Sequence, residues 1–415
     1  MRMYGLAFDI GTTTLAVSLV DVQTGSRIAQ AGALNPQREH GADVLTRLEA
    51  AGRSPDMFRQ LSLLLRDALR QLAESLLDTV PPALSPLRIG MAGNPAMEHF
   101  LLGLPVESLA RVPYRPLFRA GRAIPARDLG WDLDGDAHVF PLPGAFVGGD
   151  MVAFLHGAGV AAGEEEKPRL YLDLGTNGEI ALAAGGKIYT TSAAAGPAFE
   201  GGNLSCGMAA LPGAIDSVDL ADGKVSVSTI GHLPPAGICG SAVIEVLALL
   251  RNAGVIDRTG RLLPPAEIPT NLAIRVRDVG GMLGFVLHHD AQRLVCLTQE
   301  DIRQVQLAKA AVRGGMELLA HRAGVAWESL GEVVLTGSFG AQLRPEHLET
   351  IGIFSGAMAE RARFVRDGAL SGVERAVCDP GGFAAVERLA AACLVVPLSG
   401  NPNFEREFLA QMNFA

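Results

Sequence analysis

The stretch Tyr171-Leu-Asp-Leu-Gly-Thr-Asn-Gly-Glu-Ile180 decides how this chain is read. An apolar run carries Asp173 to the end of a predicted buried strand, Gly175 to Gly178 turn the chain, and Ile180 opens a second apolar run. In its plainest form this strand, glycine turn and strand is a hairpin. The same turn, with Thr176, Asn177 and Glu179 around it, exposes consecutive backbone N–H groups in a concavity that suits phosphate oxygens. Gly175 and Gly178 lack the Cβ atoms that would block close approach. Asp173 then stands where a phosphate-bound Mg²⁺ needs a carboxylate.

A second copy stands near the start of the chain. In Leu6-Ala-Phe-Asp-Ile-Gly-Thr-Thr-Thr-Leu-Ala-Val-Ser-Leu-Val-Asp21 a β-rich run ends in Asp9, Gly11, Thr12, Thr13 and Thr14 make a turn, and Leu15 to Val20 return. Two copies of Asp, Ile or Leu, Gly, Thr point to two related halves facing a shared cleft, the usual place for a ligand.

The length of 415 residues exceeds one ordinary core and predicts two domains. With 48% hydrophobic and 19% charged residues the balance is that of a globular protein rather than a disordered one. No apolar run has the length of a membrane span and no signal layout precedes the first strand, so the expected location is cytoplasmic, with no membrane partner. Five widely spaced cysteines, Cys206, Cys239, Cys296, Cys378 and Cys393, read as reduced thiols. A net charge of -9 gives no electrostatic footprint for nucleic acid, which is not expected as a partner.

Between the two turns, Leu61, Leu64, Leu65, Ala68, Leu72 and Leu76 recur at helical spacing and predict a packing helix over 56–77. Gly93-Asn94-Pro95 ends the strand Leu87 to Ala92, and Asn94 reads as a turn residue placed where it can also reach a ligand. His99, on an apolar helix, reads as a satisfied core histidine. Gly148-Gly149-Asp150 opens a helix, so Asp150 is most simply a cap and is also a candidate to orient an attacking water. The charged linker Glu164-Glu-Glu-Lys-Pro168 sets the expected division into 1–163 and 164–415, one Asp-Gly-Thr copy in each.

After the opening stretch, Ala194 to Gly207 is a small-residue segment that lets backbone approach a ligand at Gly196, Pro197 and Gly201, with Glu200 inside it. Its plainest reading is a long turn. Gly237-Ile-Cys-Gly-Ser241 leads into a helix, so the Gly240 and Ser241 amides form a candidate anion-facing N-terminus, with Cys239 as a small buried neighbour. Thr298 and Asp301 carry a capping signature for a helix through Val312. Glu332-Val-Val-Leu-Thr-Gly-Ser-Phe-Gly-Ala341 is a further strand and glycine turn, against which Gly337, Ser338 and Phe339 offer backbone to a flat base.

With these residues in place the chain resembles the superfamily of acetate and sugar kinases, heat-shock chaperones and actin. Asp9 to Thr14 matches its first phosphate motif, Asp173 to Gly178 its second, and Leu335 to Gly340 its adenosine motif. The resemblance implies an α/β fold of two actin-like, ribonuclease H-like halves around an interdomain nucleotide cleft. A more specific resemblance is to the ATP-dependent reductive activators of corrinoid proteins, in their middle and C-terminal regions. It is carried by Gly93 to Met97, Phe146 to Asp150, Gly196 to Gly201, Ser205 to Met208, Gly237 to Ser241 and Thr298 to Lys309. It implies ATP-driven reduction of cob(II)alamin to cob(I)alamin on a methyl-transferring corrinoid protein, and a homodimer.

Full-length members of that family carry an N-terminal ferredoxin-like iron–sulfur domain. No plant-type cysteine spacing occurs here, so no iron–sulfur cluster is expected in this chain, and the electron is expected from another domain or a ferredoxin-like donor. On this reading the cofactors are ATP and Mg²⁺, with Asp9 and Asp173 at the metal and Asp150, Asp173 and Glu200 as candidate catalytic carboxylates. Three alternatives share the fold: a small-molecule kinase, a dimeric dehydratase activator holding a cluster through Cys206 and Cys239, and an actin-like filament.

Overall fold

Strands β1 (Tyr4–Ile10) and β2 (Thr14–Asp21) run antiparallel with Ile10 opposite Leu15, so the three residues between them can only turn. The computed structural model to which they belong describes residues 3–81, 87–160, 166–221, 224–337 and 343–415. The chain divides into two units, Met1–Glu166 with Gly185–Thr191 and Asp367–Val396, and Lys167–Ala184 with Ser192–Arg366 and Pro397–Ala415.

In the first unit, β3 (Ser26–Leu34) pairs with β2, and β4 (Leu87–Gly93) lies parallel to β1. With β5 (Arg122–Pro125) and β6 (Gly135–Val139) they form a sheet of order β3-β2-β1-β4-β6-β5. The helices of this part are α1 (Val44–Ala51), α2 (Pro55–Leu77), α3 (Pro95–Leu102), the single turn α4 (Glu107–Ala110) and α5 (Gly149–Gly157). The periodicity of α2 is expressed as expected. Ser54 caps it by accepting from the Met57 N–H at 3.1 Å, and Leu61, Leu65, Leu69, Ala73 and Leu76 are buried against β2 and β3. Each of the buried leucines Leu61, Leu65, Leu69 and Leu76 contributes about 1.5–3 kcal/mol on burial. Leu64, Ala68 and Leu72 flank that stripe half-buried.

The second unit opens with β7 (Arg169–Leu174) and β8 (Gly178–Ala184), antiparallel; β9 (Lys187–Ala193) follows in the chain, its first five residues counted with the first unit. A small sheet of order β11-β10-β12 is made by β10 (Ala214–Ala221), β11 (Lys224–Thr229) and β12 (Gly237–Ile238), and leads into α6 (Gly240–Asn252). A meander follows: β13 (Val276–Val279), β14 (Met282–His289) and β15 (Leu294–Thr298). Helix α7 (Gln299–Ala323) starts on the predicted capping box. The Thr298 hydroxyl accepts from the Asp301 N–H at 3.2 Å, and Asp301 accepts from the Thr298 N–H at 2.8 Å. Strand β16 (Glu332–Thr336) lies parallel to β7 and, after α8 (Pro345–Thr350) and α9 (Gly356–Ala359), β17 (Ala362–Phe364) extends the sheet beyond it.

The chain then supplies α10 (Gly368–Cys378) and α11 (Gly382–Ala392) to the first unit, where α10 packs on β1, β4 and α5. Strand β18 (Cys393–Val395) runs parallel to β9, and α12 (Pro402–Ala410) packs on α7 in the second unit. The sets β2-β1-β4 and β8-β7-β16 repeat one arrangement, an antiparallel hairpin whose first strand takes a parallel neighbour. Among the described residues no helix is long and apolar enough to cross a membrane.

Candidate functional site

The first-unit turn is built by contacts that hold its backbone. Asp9 lies half-buried opposite Ala16, one residue before β1 ends. At Gly11 a Cβ would sit 2.5 Å from the Thr14 carbonyl oxygen, so the tight turn requires glycine here. The fully buried Asn35 donates to the Gly11 carbonyl at 3.0 Å, and its own N–H donates to the Thr13 carbonyl at 2.9 Å. Asn94 donates to the Thr12 hydroxyl at 2.9 Å while its side-chain oxygen accepts from the Ala96 and Met97 N–H groups, both at 3.1 Å. One side chain thus caps α3 and fixes the phosphate turn. Thr14 opens β2 with its side exposed.

A pair of carboxyl groups stands beside this turn. Asp150, in the first turn of α5, accepts from the Met151 N–H at 2.8 Å, and burial pushes its carboxyl up to about 6. Glu98, fully buried on α3, accepts from the Gly93 N–H at 3.2 Å through one oxygen, and its other oxygen has no hydrogen-bond partner. Burial and then the charge of Asp150 hold Glu98 well above the usual carboxylate range. Sequence reasoning missed Glu98, because an acid in the first turn of a helix is an ordinary complement to the helix dipole. His99 is the core histidine expected: its ring contacts the Pro95 carbonyl at 2.6 Å and the Leu117 N–H at 3.1 Å, and burial lowers its pKa.

In the second unit, Asp173 and Glu179 are direct partners across β7 and β8, and therefore share one face of the hairpin. Glu179 is buried and accepts from the Ser192 hydroxyl at 3.3 Å. Between them the Gly175 N–H donates to the Asn177 carbonyl at 3.1 Å, closing the turn. The buried Thr176 hydroxyl donates to Glu200, which brings the second candidate carboxylate onto the turn from 24 residues away. The two glycines differ. A Cβ at Gly175 would have only ordinary contacts, 3.7 Å to Asn177 and 3.8 Å to Glu200, whereas one at Gly178 would sit 2.6 Å from Val312 of α7. Gly178 answers to helix packing, and Gly175 lies where an added methyl group would just touch the Glu200 carboxylate.

The glycine-rich segment is explained by close packing around Glu200. Pro197–Glu200 is one 3₁₀ turn, bracketed by Gly196 and Gly201 with φ of 73° and 78°. A Cβ on Gly240 would collide with the Phe199 carbonyl oxygen, so the start of α6 lies directly against that turn. Ser241 is buried, its hydroxyl 3.2 Å from the Cys239 sulfur. At Gly337 a Cβ would collide with the Leu174 carbonyl, at the end of the strand that bears Asp173. Ser338 and Phe339 lie outside the described residues. The thiol that faces Cys206 is Cys296, at 3.9 Å, and Cys239 turns to Ser241 instead.

Comparisons with known proteins match the chain in two consecutive segments. A family model described as the RACo middle region matches residues 4–162, and one described as the C-terminal domain of RACo, the ASKHA domain, matches residues 167–415. Corrinoid activation enzyme RamQ of Eubacterium limosum is 29% identical over 422 residues, covering 99% of this chain and 70% of that protein. A reductase of Methanosarcina barkeri, named for a Co(II) methylated amine-specific corrinoid protein, is 24% identical over 396 residues, covering 87% and 68%. A solved structure titled reductive activator for corrinoid, iron–sulfur protein superposes with a TM-score of 0.88 at 30% identity, covering all of this chain and 66% of the other. The chain therefore spans between 66% and 70% of the length of these relatives. The chain has the actin-like α/β fold that its family resemblance implies. The chain belongs to the RACo family, comprising its middle region and its ASKHA domain.

Proposed function

We propose that this chain binds and hydrolyses ATP with Mg²⁺, and that this drives reduction of cob(II)alamin to cob(I)alamin on a corrinoid methyl-transfer protein. In this reading it works as a homodimer and a ferredoxin-like donor supplies the electron. The observation that carries the reading is the carboxylate pair Asp173 and Glu179 on one face of a hairpin whose glycine turn holds Glu200 through Thr176. Two carboxylates on one face beside a turn of backbone N–H groups suit a hard cation and the phosphates it bridges to. The names of the relatives, all corrinoid activators or reductases, supply the partner class.

Asp9 and Asp173 would hold Mg²⁺, mostly through water, and the metal would neutralise charge on the phosphates. The Gly11 to Thr14 and Gly175 to Gly178 turns would offer N–H groups to phosphate oxygens, and Gly337 to Phe339 would line the base and ribose. Asp150, whose carboxyl burial raises to about 6, would act as the base that orients the attacking water, and the Thr176 hydroxyl donates to Glu200 beside the second turn.

The test is calorimetric titration with ATP in the presence and absence of Mg²⁺, followed by phosphate release. The absorbance of a cob(II)alamin-loaded corrinoid protein is then followed anaerobically with reductant, chain and ATP. No ATP binding, or an Asp173→Ala chain that binds and hydrolyses as well as wild type, would end the nucleotide reading. ATP hydrolysis without any change in the corrinoid spectrum would end the partner reading alone.

A further inference from the structure

Two cysteines that the proposed function does not use lie close together in the second unit. Cys206 sits half-buried in the loop Ser205 to Gly207, and Cys296 lies in the middle of β15, 2% exposed. Their sulfur atoms are 3.9 Å apart, and the Cys296 N–H donates to the Cys206 sulfur at 3.4 Å. The loop is anchored, because the Ser205 N–H and hydroxyl both donate to Asp301, at 2.7 and 3.1 Å. Cys206 is thus held over its partner rather than wandering near it.

The pair is asymmetric. Hydrogen bonds from the Cys296 thiol and then its N–H lower the Cys206 thiol to about 6, against burial and the nearby Asp301 carboxylate. The same bond and burial push the Cys296 thiol up. The partly exposed sulfur is the one favoured as thiolate and the buried sulfur the one favoured as thiol, the division between an attacking and a resolving cysteine. The remaining thiols lack these features. Cys239 faces Ser241, burial raises Cys378, and burial pushes Cys393 up to about 12.

We propose that Cys206 and Cys296 form a thiol–disulfide exchange site whose substrate class is a small-molecule disulfide. The Cys206 thiolate attacks one sulfur of R–S–S–R, forming a mixed disulfide and releasing RS⁻, which takes a proton from water. Cys296 then attacks the Cys206 sulfur, and its proton leaves with the second RS group as RSH. The two protein thiols are oxidised by two electrons and the external disulfide is reduced to two thiols. Closing the pair from 3.9 Å to a bond of about 2.0 Å needs roughly 2 Å of sulfur motion. The site stands independently of the nucleotide reading.

The experiment incubates the full chain with glutathione disulfide, quenches with acid, alkylates the remaining thiols and maps the peptides by mass spectrometry. Wild type is expected to lose two of its five thiols to a Cys206–Cys296 cross-link and to retain no glutathione. Cys296→Ser is expected to retain one glutathione, on Cys206, and Cys206→Ser to form neither product. A native wild-type chain that keeps all five thiols while its unfolded form oxidises overturns the inference. So does a cross-link mapped to another pair, or a Cys296→Ser chain that takes up no glutathione. The wild-type map needs no variant to fold.

Discussion

Asp173 and Glu179 oppose each other across the β7–β8 hairpin, two carboxylates on one face next to the turn that Thr176 and Glu200 tie down. Two carboxylates so placed can serve a hard cation. We expect Asp173→Asn to stay folded and to cut Mg²⁺-dependent ATP hydrolysis by about a hundredfold or more. Denaturant unfolding and phosphate release, measured on the same preparations, check this. A less stable variant with wild-type hydrolysis would show that Asp173 is structural.

Two glycines of the second unit should respond differently to one added methyl group. At Gly240 the new Cβ meets the Phe199 carbonyl, a backbone atom that cannot rotate away, so α6 must withdraw from the turn that carries Glu200. Gly240→Ala should cost about 1–3 kcal/mol of stability. At Gly175 the Cβ has room, and Gly175→Ala should leave stability within about 0.5 kcal/mol of wild type. It should weaken ATP binding by about tenfold, or 1.4 kcal/mol, because the methyl group occupies the approach beside Glu200. Thermal unfolding and calorimetry separate the two, and a Gly175→Ala chain with unchanged ATP affinity would put the phosphates elsewhere.

Asn94 joins a helix start to the first phosphate turn, and its two halves can be separated. Asn94→Ala removes the cap of α3 and the contact to Thr12, and should cost about 1–2 kcal/mol. Asn94→Asp keeps an accepting oxygen for the Ala96 and Met97 N–H groups, and the Thr12 hydroxyl can reverse and donate. At neutral pH that variant also buries a carboxylate near Asp150, so its loss should lie between wild type and Asn94→Ala and should shrink as the new acid is protonated. Equal losses in both, by denaturant midpoint, would mean that the amide N–H on Thr12 is the part that matters.

The hairpins, the cap at Thr298 and the packing stripe of α2 were legible in the sequence because each is a local pattern, read over a few residues of fixed spacing. Asn94 was legible only in part. A turn residue before Pro95 was readable, but its bond to Thr12 spans 82 residues and belongs to the sheet. Glu200 was singled out for its glycine surroundings, and what places it on Thr176 is the Gly240 contact with Phe199, again distant in sequence. Cys296 carried no local signal at all, since in β15 it alternates like any small apolar residue and its partner is 90 residues away. The assignment of α10 and α11 to the first unit was likewise hidden, because their apolar faces fit any sheet and only the packing on β1 and β4 chooses one.

The carboxyl pair on α3 and α5 should make the chain sensitive to pH. Burial raises Asp150 from an ordinary value of 3.8 to about 6, and burial with the Asp150 charge holds Glu98 well above 4.5. Both folded values lie above the unfolded ones, so the folded state binds more protons. The stability this confers is complete below pH 3.8 and is lost as pH rises through about 6 for Asp150, and higher for Glu98. The unfolding free energy should therefore fall between pH 4 and 7, with a flatter slope in Asp150→Asn, a trend that denaturant titrations at fixed ionic strength can follow. Glu98→Gln keeps an oxygen for the Gly93 N–H and mimics the neutral acid, whereas Glu98→Ala leaves that N–H without its acceptor and should cost about 1–3 kcal/mol. Hydrolysis should run the other way. A base must be ionised to orient water, so kcat/KM for ATP should climb through about pH 6, where Asp150 loses its proton. Glu98→Gln, neutral like the acid it replaces, should keep that midpoint, and Asp150→Asn should abolish the limb. A limb that survives in Asp150→Asn would pass the role of base to Glu200 or Glu179.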